Sequence, residues 1–133
     1  MSGVRPIVQD VGGLSRASRA GDGVINPILT EVATDAAVTI TVAQLATGFI
    51  NYTSFSAGRN VTTPTAALII AAFPQLDIGD SIEVVIASEA AFAGTFVAGT
   101  DVTLNGKATV AASSHVHVII TKTSATTVTW SVL

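Results

Sequence analysis

Cysteine is absent from this 133-residue chain. That excludes disulfide staples and thiolate metal sites, and it leaves a chain able to fold in a reducing compartment and persist outside it. Charge is scarce as well: Asp, Glu, Lys and Arg make up 11% of the residues, against roughly 25% in an average soluble protein. The net charge of −3 and the want of clustered Lys and Arg leave no footprint for nucleic acid. Aromatic residues reach only 5%, with a single tryptophan, Trp130. A stacking platform for sugars or single strands needs more of them, presented together, so Trp130 is read as core or subunit contact. No apolar run is long. The longest, 66–73, falls well short of the roughly 18–20 residues of a membrane-spanning helix, and no basic-then-apolar leader is read at the start. Neither a membrane nor a nucleic-acid partner is expected.

What remains is a chain that is 49% hydrophobic, much of it alanine and valine, with Thr, Ser and Gly filling most of the rest. Disorder goes with low hydrophobicity and high charge, the opposite of this composition. The length suits one domain with a real core. A folded unit with so few charges is expected to cover much of its surface with other subunits.

Residues 1–24, "MSGVRPIVQDVGGLSRASRAGDGV", hold three of the six basic residues (Arg5, Arg16, Arg19) and no useful period. They read as an extended arm, either a frayed terminus or a segment that orders against a partner with Ile7, Val8, Val11 and Leu14 as apolar anchors. From residue 25 to 133 the pattern is that of a single β domain. "INPILTEV" (25–32), "AVTITV" (37–42), "FINYTSF" (49–55), "SIEVVIAS" (81–88), "GTFVAG" (94–99), "HVHVIITKT" (115–123) and "TTVTWSVL" (126–133) read as strands. "AQLATG" (43–48) holds a helical turn, and "AGRN" (57–60) a loop. Asn105-Gly106, between alternating Val102/Leu104 and Ala108/Val110, predicts a hairpin with a type I′ turn. No internal repeat is read.

One helix stands among the strands. Thr62 or Thr63 is placed as its N-cap, Pro64 at or near its first position, and Pro74 ends it. Leu68, Ile69, Ile70 and Phe73 spread over roughly 200° of its circumference, and Ala67 and Ala71 occupy the remaining sector. A helix apolar on nearly every side is expected to be buried, its alanine side approached closely by the chain's own loops or by a neighbouring copy. The whole reads as mainly β: a β-sandwich or jelly-roll-like barrel with one short buried helix and an extended N-terminal arm.

Catalytic candidates are poor. His115 and His117 stand two apart on a strand and share a face roughly 7 Å apart, but no HExxH-type spacing or carboxylate–histidine cluster supports a metal. The expected arrangement is a solvated or subunit-facing pair, with Val116, Val118 and Ile120 toward the core. Asp77, Asp80, Glu83, Glu89 and Asp101 form an acidic stretch, yet "DIGDSIE" lacks the oxygen spacing of a calcium loop. "GGLS" has no flanking strand and helix to make a nucleophile elbow. Asn51-Tyr52-Thr53 and Asn60-Val61-Thr62 match the glycosylation pattern without a secretion signal beside them. No enzyme, cofactor or metal is expected.

"PIVQDVGGLSRASRAGDGV" is similar to the opening arm of many tailed-phage virion proteins. "TITVAQLATGFI", "TTPTAALIIAAFPQLDIGDSIEVVIAS" and "FVAGTDVTLNGKATVAASSHVHVIITKTSATTVTWSVL" together resemble a β-rich module of phage head decoration (cement) and head-fibre proteins. The resemblance covers most of residues 36–133 and departs at His115-Val-His117, where the pattern more often has small polar or arginine residues. It implies a non-enzymatic virion component, usually a homotrimer, on the outer capsid surface or in a fibre. On that resemblance the major capsid protein is the expected partner, contacted through Arg5, Ile7, Leu14, Arg16 and Arg19, with Ala67 and Ala71 at the subunit interface. A head or tail fibre module that binds a host receptor is the alternative, and the acidic 77–101 stretch is the candidate for it.

Overall fold

Alternation sets the strands. In "SIEVVIAS", Ile82, Val84 and Ile86 are buried while Ser81 and Glu83 face solvent; in "SHVHVIITK", Val116, Val118 and Ile120 are buried and His115 and His117 are exposed. Such two-residue periods place one face of each strand in a core. In the computed structural model, which describes residues 27–133, these strands assemble into two sheets of six and four strands with two short helices. The protein is mainly β, as its sequence implies.

The chain visits the two sheets in turn. β1 (Ile28–Val32) lies in the larger sheet and β2 (Val38–Thr39) in the smaller, and α1 (Val42–Thr47) leads back. β3 (Gly48–Tyr52), β4 (Arg59–Thr62) and α2 (Ala66–Ala72) repeat that circuit, and β5 (Ser81–Ser88) and β6 (Gly94–Val97) begin a third. Successive circuits stack in parallel: β1 on β3, β3 on β5, β2 on β4, β4 on β6. Ile28 pairs with Gly48 and Val38 with Val61, steps of 20 and 23 residues. This is a solenoid-like winding. The remaining strands close the stack. β7 (Val102–Gly106) pairs with β10 (Val128–Val132) at one edge of the larger sheet, β8 (Thr109–Val110) pairs with β6, and β9 (Ser114–Lys122) runs antiparallel between β5 and β10.

The winding corrects three readings of the sequence. First, a repeat is present. Val38-Thr39 and Val61-Thr62 are register partners. Thr41 and Thr65 cap α1 and α2, and Leu45 and Ile69, each four residues past its cap, are both fully buried. Second, Asn105-Gly106 makes no hairpin, because β7 and β8 belong to different sheets. Gly106 does take a positive φ of 83°, but as a crossing point where a Cβ would collide with the Val132 carbonyl. Third, part of "AGRN" is strand β4, recruited by pairing with β6 in the register Arg59↔Gly94 to Thr62↔Val97.

The helices are fixed by their caps. Thr41 Oγ1 accepts from Gln44 N at 3.1 Å and Gln44 Oε1 accepts from Thr41 N at 3.0 Å, a capping box, and Gly48 ends α1 with φ 79°. For α2 the cap is Thr65, whose hydroxyl accepts from Leu68 N at 3.3 Å, so Pro64 lies outside the helix rather than in its first turn. The all-round burial expected of α2 is confined to one face. Ala66 and Ile69 are buried against the core, while Ala67, Leu68, Ala71 and Ala72 are exposed, Leu68 at 55%. Seven residues make about two turns, which suffices to cover the helical side of the stack with one face. The core between the sheets is a single cluster that includes Ile40, Leu45, Ile50, Val61, Ile69, Phe96, Val118 and Trp130. Trp130 is fully buried, 6.4 Å from Phe96 between ring centroids.

Candidate functional site

Two grooves and one charge-poor face are the surfaces that stand out. The first groove lies on the outer face of the larger sheet. Its floor is Phe49, Val85 and Ala87, and its rim includes Glu89, His115 and His117, with a volume of about 500 Å³. Register explains the floor: Phe49 pairs with Val85, Val85 with His117, and Ala87 with His115, so these outward side chains stand in adjacent rows. The two imidazoles meet edge to face at 5.7 Å between centroids. His117 Nδ1 lies 2.8 Å from Glu83 Oε2 on the neighbouring strand, with both groups about half exposed. An exposed pair of this kind holds two side chains in place but contributes little to stability. No group of three or more metal-ligating side chains exists among the described residues.

The second groove, about 460 Å³, lies where three successive circuits leave the smaller sheet. The ladder continues through these turns: Ile40 N donates to Thr62 O at 2.8 Å, Thr63 N to Val97 O at 2.9 Å, and Ala66 N to Thr100 O at 3.0 Å. Stacking is close enough that a Cβ on Gly99 would lie 2.8 Å from the Thr63 carbonyl oxygen, so only glycine fits there. Thr63, buried, donates to Pro64 O at 2.8 Å and accepts from Gly99 N at 2.9 Å. Thr39, Thr62 and Thr65 line the groove and Leu68 stands at its lip.

Beside this groove, the solvent side of the smaller sheet is poor in charge. The outward positions of that sheet are Thr39, Asn60, Thr62, Thr95, Val97 and Thr109, alternating with the inward Val38, Val61, Phe96 and Val110. Neither helix contains a charged residue. Arg59 stands at the end of β4, tied to Asp35, and Lys107 just precedes β8; the other charges sit elsewhere. Glu31 is on β1, Glu83 on the outer face of the larger sheet, Asp77 and Asp80 in the turn after α2, and Lys122 at the end of β9. Asp77 N donates to Asp80 Oδ2 and Asp80 N to Asp77 O, both at 2.9 Å, which makes that acidic pair a turn.

Asp35, between β1 and β2, clamps two circuits together. Its carboxylate accepts from the Ser56 hydroxyl and backbone N–H (2.5 and 2.9 Å) and from Arg59 Nη2 and Nε (2.9 and 3.2 Å). Those bonds, Ser56 first and then Arg59, hold its pKa down at about 2. The sequence offered no signal for this clamp, because its members lie 21 and 24 residues apart in segments read as loops.

Of the residues singled out in the sequence, Arg5, Ile7, Leu14, Arg16 and Arg19 lie outside the described residues. Ala67 and Ala71 are exposed on α2, beside Leu68. Asn51 is buried and so is no glycan acceptor in the folded protein, whereas Asn60 is exposed on β4. Leu68 and Val97 are exposed at 55% and 37%; the Val-Thr…Thr-x-Ala repeat at 38–43 and 61–67 bears on α2 alone, and Val97 shows its outward side only through its pairing with Thr62. No family model, no curated protein and no solved structure matches the chain.

Proposed function

We propose that this chain is a structural, non-enzymatic virion protein: a homotrimeric decoration (cement) protein that binds the outer capsid surface and stabilises the assembled shell. The observation that carries the reading is the charge-poor face of α2 and the smaller sheet, where Arg59, at the end of β4 and paired with Asp35, is the one charged residue within the described strands and helix. A surface of that kind suits a permanent subunit contact, and a closed three-fold ring suits the local symmetry of a capsid lattice. The resemblance of the arm and the module to phage decoration proteins points the same way.

In this mechanism three modules close around an axis and three arms extend over neighbouring major capsid subunits. Arg5, Arg16 and Arg19 pair with carboxylates there, and Ile7 and Leu14 supply apolar anchors. Three weak attachments on one rigid body add through effective concentration. A ligand that binds the assembled shell and not its separated pieces stabilises the shell by mass action. The test is co-sedimentation of purified protein with empty shells, with and without residues 1–24. Binding that depends on the arm, and shells that resist heat better when decorated, are expected; no binding at any ratio refutes the reading.

The groove over Phe49, Val85 and Ala87 favours a second reading, a fibre or adhesin module that binds a host-surface receptor. An apolar floor with a rim of imidazole, carboxylate and hydroxyl groups is the usual form of a small recognition site. Binding to host cells, lost in Phe49→Ala and undisturbed by removal of the arm, is the result that selects it.

A further inference from the structure

Two imidazoles stand as a pair on the rim of the groove over the larger sheet. We infer that His115 and His117 form a two-ligand site for a late first-row divalent metal ion, such as nickel(II) or zinc(II). Glu83 is the positioning residue that orients His117. The inference goes beyond the virion reading and does not depend on it.

The sequence shows no carboxylate close to the two histidines, but the pairing of β5 with β9 brings one there across 34 residues. His117 Nδ1 lies 2.8 Å from Glu83 Oε2. An ionised carboxylate only accepts hydrogen bonds, so a neutral His117 carries its proton on Nδ1 and keeps the Nε2 lone pair free. Metal-ligating histidines donate their other ring N–H to a carboxylate in this way, which fixes the tautomer and makes the ligating nitrogen more basic. His115 stands beside it, with 5.7 Å between ring centroids. An ion about 2.0–2.1 Å from a ring nitrogen lies roughly 3 Å from that ring's centroid, so two imidazoles on one tetrahedral ion have centroids roughly 5–6 Å apart. The observed spacing falls in that range.

The platform is rigid. β9 is paired on both sides, by β5 and β10, and Leu133 N donates to His117 O at 2.8 Å. The β5 partners of His115 and His117 are Ala87 and Val85, smaller than an imidazole, and both rings stand exposed above them. Ligands on a paired strand are held more closely than ligands on a loop. Charge favours a cation as well. Residues 27–133 carry seven carboxylates against three Lys and Arg, a balance of −4, and Glu89 lies on the same groove rim. Two nitrogens fill half of a tetrahedral shell, so water or a ligand seated over Val85 and Ala87 completes it. Such an ion is exchangeable rather than structural.

The experiment is calorimetric titration of protein free of any histidine tag with nickel(II) and zinc(II), beside NMR of the imidazole rings. The chain has two histidines and no cysteine, so every imidazole signal belongs to this pair. One ion per chain is expected, with zinc(II) perturbing both rings together. His115→Ala and His117→Ala should each weaken binding by about a hundredfold, because the second imidazole is captured at high effective concentration. Glu83→Ala should weaken it by about tenfold or more and abolish the Nδ1–H signature of His117 in nitrogen-15 spectra, and Glu83→Gln, which keeps an acceptor, should recover part of the affinity. All three side chains are exposed, and emission from the buried Trp130 reports that each variant folds. Two ions per chain, or single histidine variants that lose only about twofold, mean independent imidazoles and overturn the site. So does binding that persists in the double variant His115→Ala/His117→Ala, or none at millimolar metal. A Glu83→Ala variant that binds like the wild type overturns the role of Glu83.

Discussion

Ile69 and Leu68 are neighbours in sequence and opposites in surroundings, so truncating each to alanine separates the two faces of α2. Ile69 is fully buried and Leu68 is 55% exposed. Ile69→Ala removes three carbons from a closed site. At about 0.8 kcal/mol per buried methylene the transfer loss is roughly 2.4 kcal/mol, and the cavity left behind places the total within about 2–5 kcal/mol. That loss belongs to the single chain, so it should be the same at every protein concentration. Leu68→Ala gives up only what the module itself covers, and the uncovered half of the side chain is worth about 1 kcal/mol if a neighbouring copy closes over it. That second contribution belongs to the assembly and should grow as protein concentration rises. Urea unfolding at two concentrations a hundredfold apart, followed by Trp130 emission, reads both. If Ile69→Ala falls within about 0.5 kcal/mol of wild type, α2 does not pack on the core as described. If Leu68→Ala costs the same at both concentrations, nothing covers that flank.

Gly106→Ala should destabilise by about 2 kcal/mol or more in the same assay. A non-glycine residue at φ 83° is strained, and its Cβ would displace the Val132 carbonyl that accepts from Lys107 N; a neutral result would mean that β7 does not cross beside β10. Thr41→Ala should cost about 1 kcal/mol through loss of the capping box, and Thr41→Ser, which keeps the hydroxyl, should recover most of it. Asp35 has a folded pKa of about 2, below its ordinary 3.8, so its contribution is present above pH 3.8 and lost as pH falls through about 2. Asp35→Asn should therefore flatten the loss of stability between those values, and an unchanged acid profile would show that the clamp with Ser56 and Arg59 is not formed. Trp130, the single tryptophan and fully buried, should emit at short wavelength and resist iodide quenching until the module unfolds.

Most elements were legible in the sequence because they depend on local order. β5 was read at its observed bounds, since Ile82, Val84 and Ile86 recur at every second residue between the turn residues before Ser81 and Glu89 after Ser88. The His115/His117 face was read correctly for the same reason. Pairing is another matter. Asn105-Gly106 carries the local chemistry of a hairpin, and Gly106 adopts the positive φ that chemistry supports, yet the strands on either side join different sheets. The preference of two residues for a turn, worth about 1 kcal/mol, is overridden by the burial of Val102 and Val110 in a common core. β4 was missed because it has only one buried apolar residue, Val61, and is held as a strand by its neighbours β2 and β6. The Asp35 clamp was invisible for a related reason: only the stacking of circuits brings residues from separate segments together.

The winding also explains why the outer row of the smaller sheet was only partly legible. In a wound stack each circuit contributes the same position to the same face, so a short motif repeated in the chain becomes a row on the surface. Val38-Thr39 and Val61-Thr62 each turn a valine inward and a threonine outward, and Phe96-Val97 repeats the geometry with a valine outside. A row of threonines ending in an exposed valine is thus written into the order of the circuits. Ala67 and Ala71 could be found from helical periodicity because they lie within one circuit. Leu68 and Val97 belong to different circuits, and their common face exists only once β6 has stacked on β4. The scarcity of charge is visible in the composition, and only the stacking order gathers these uncharged positions on one side.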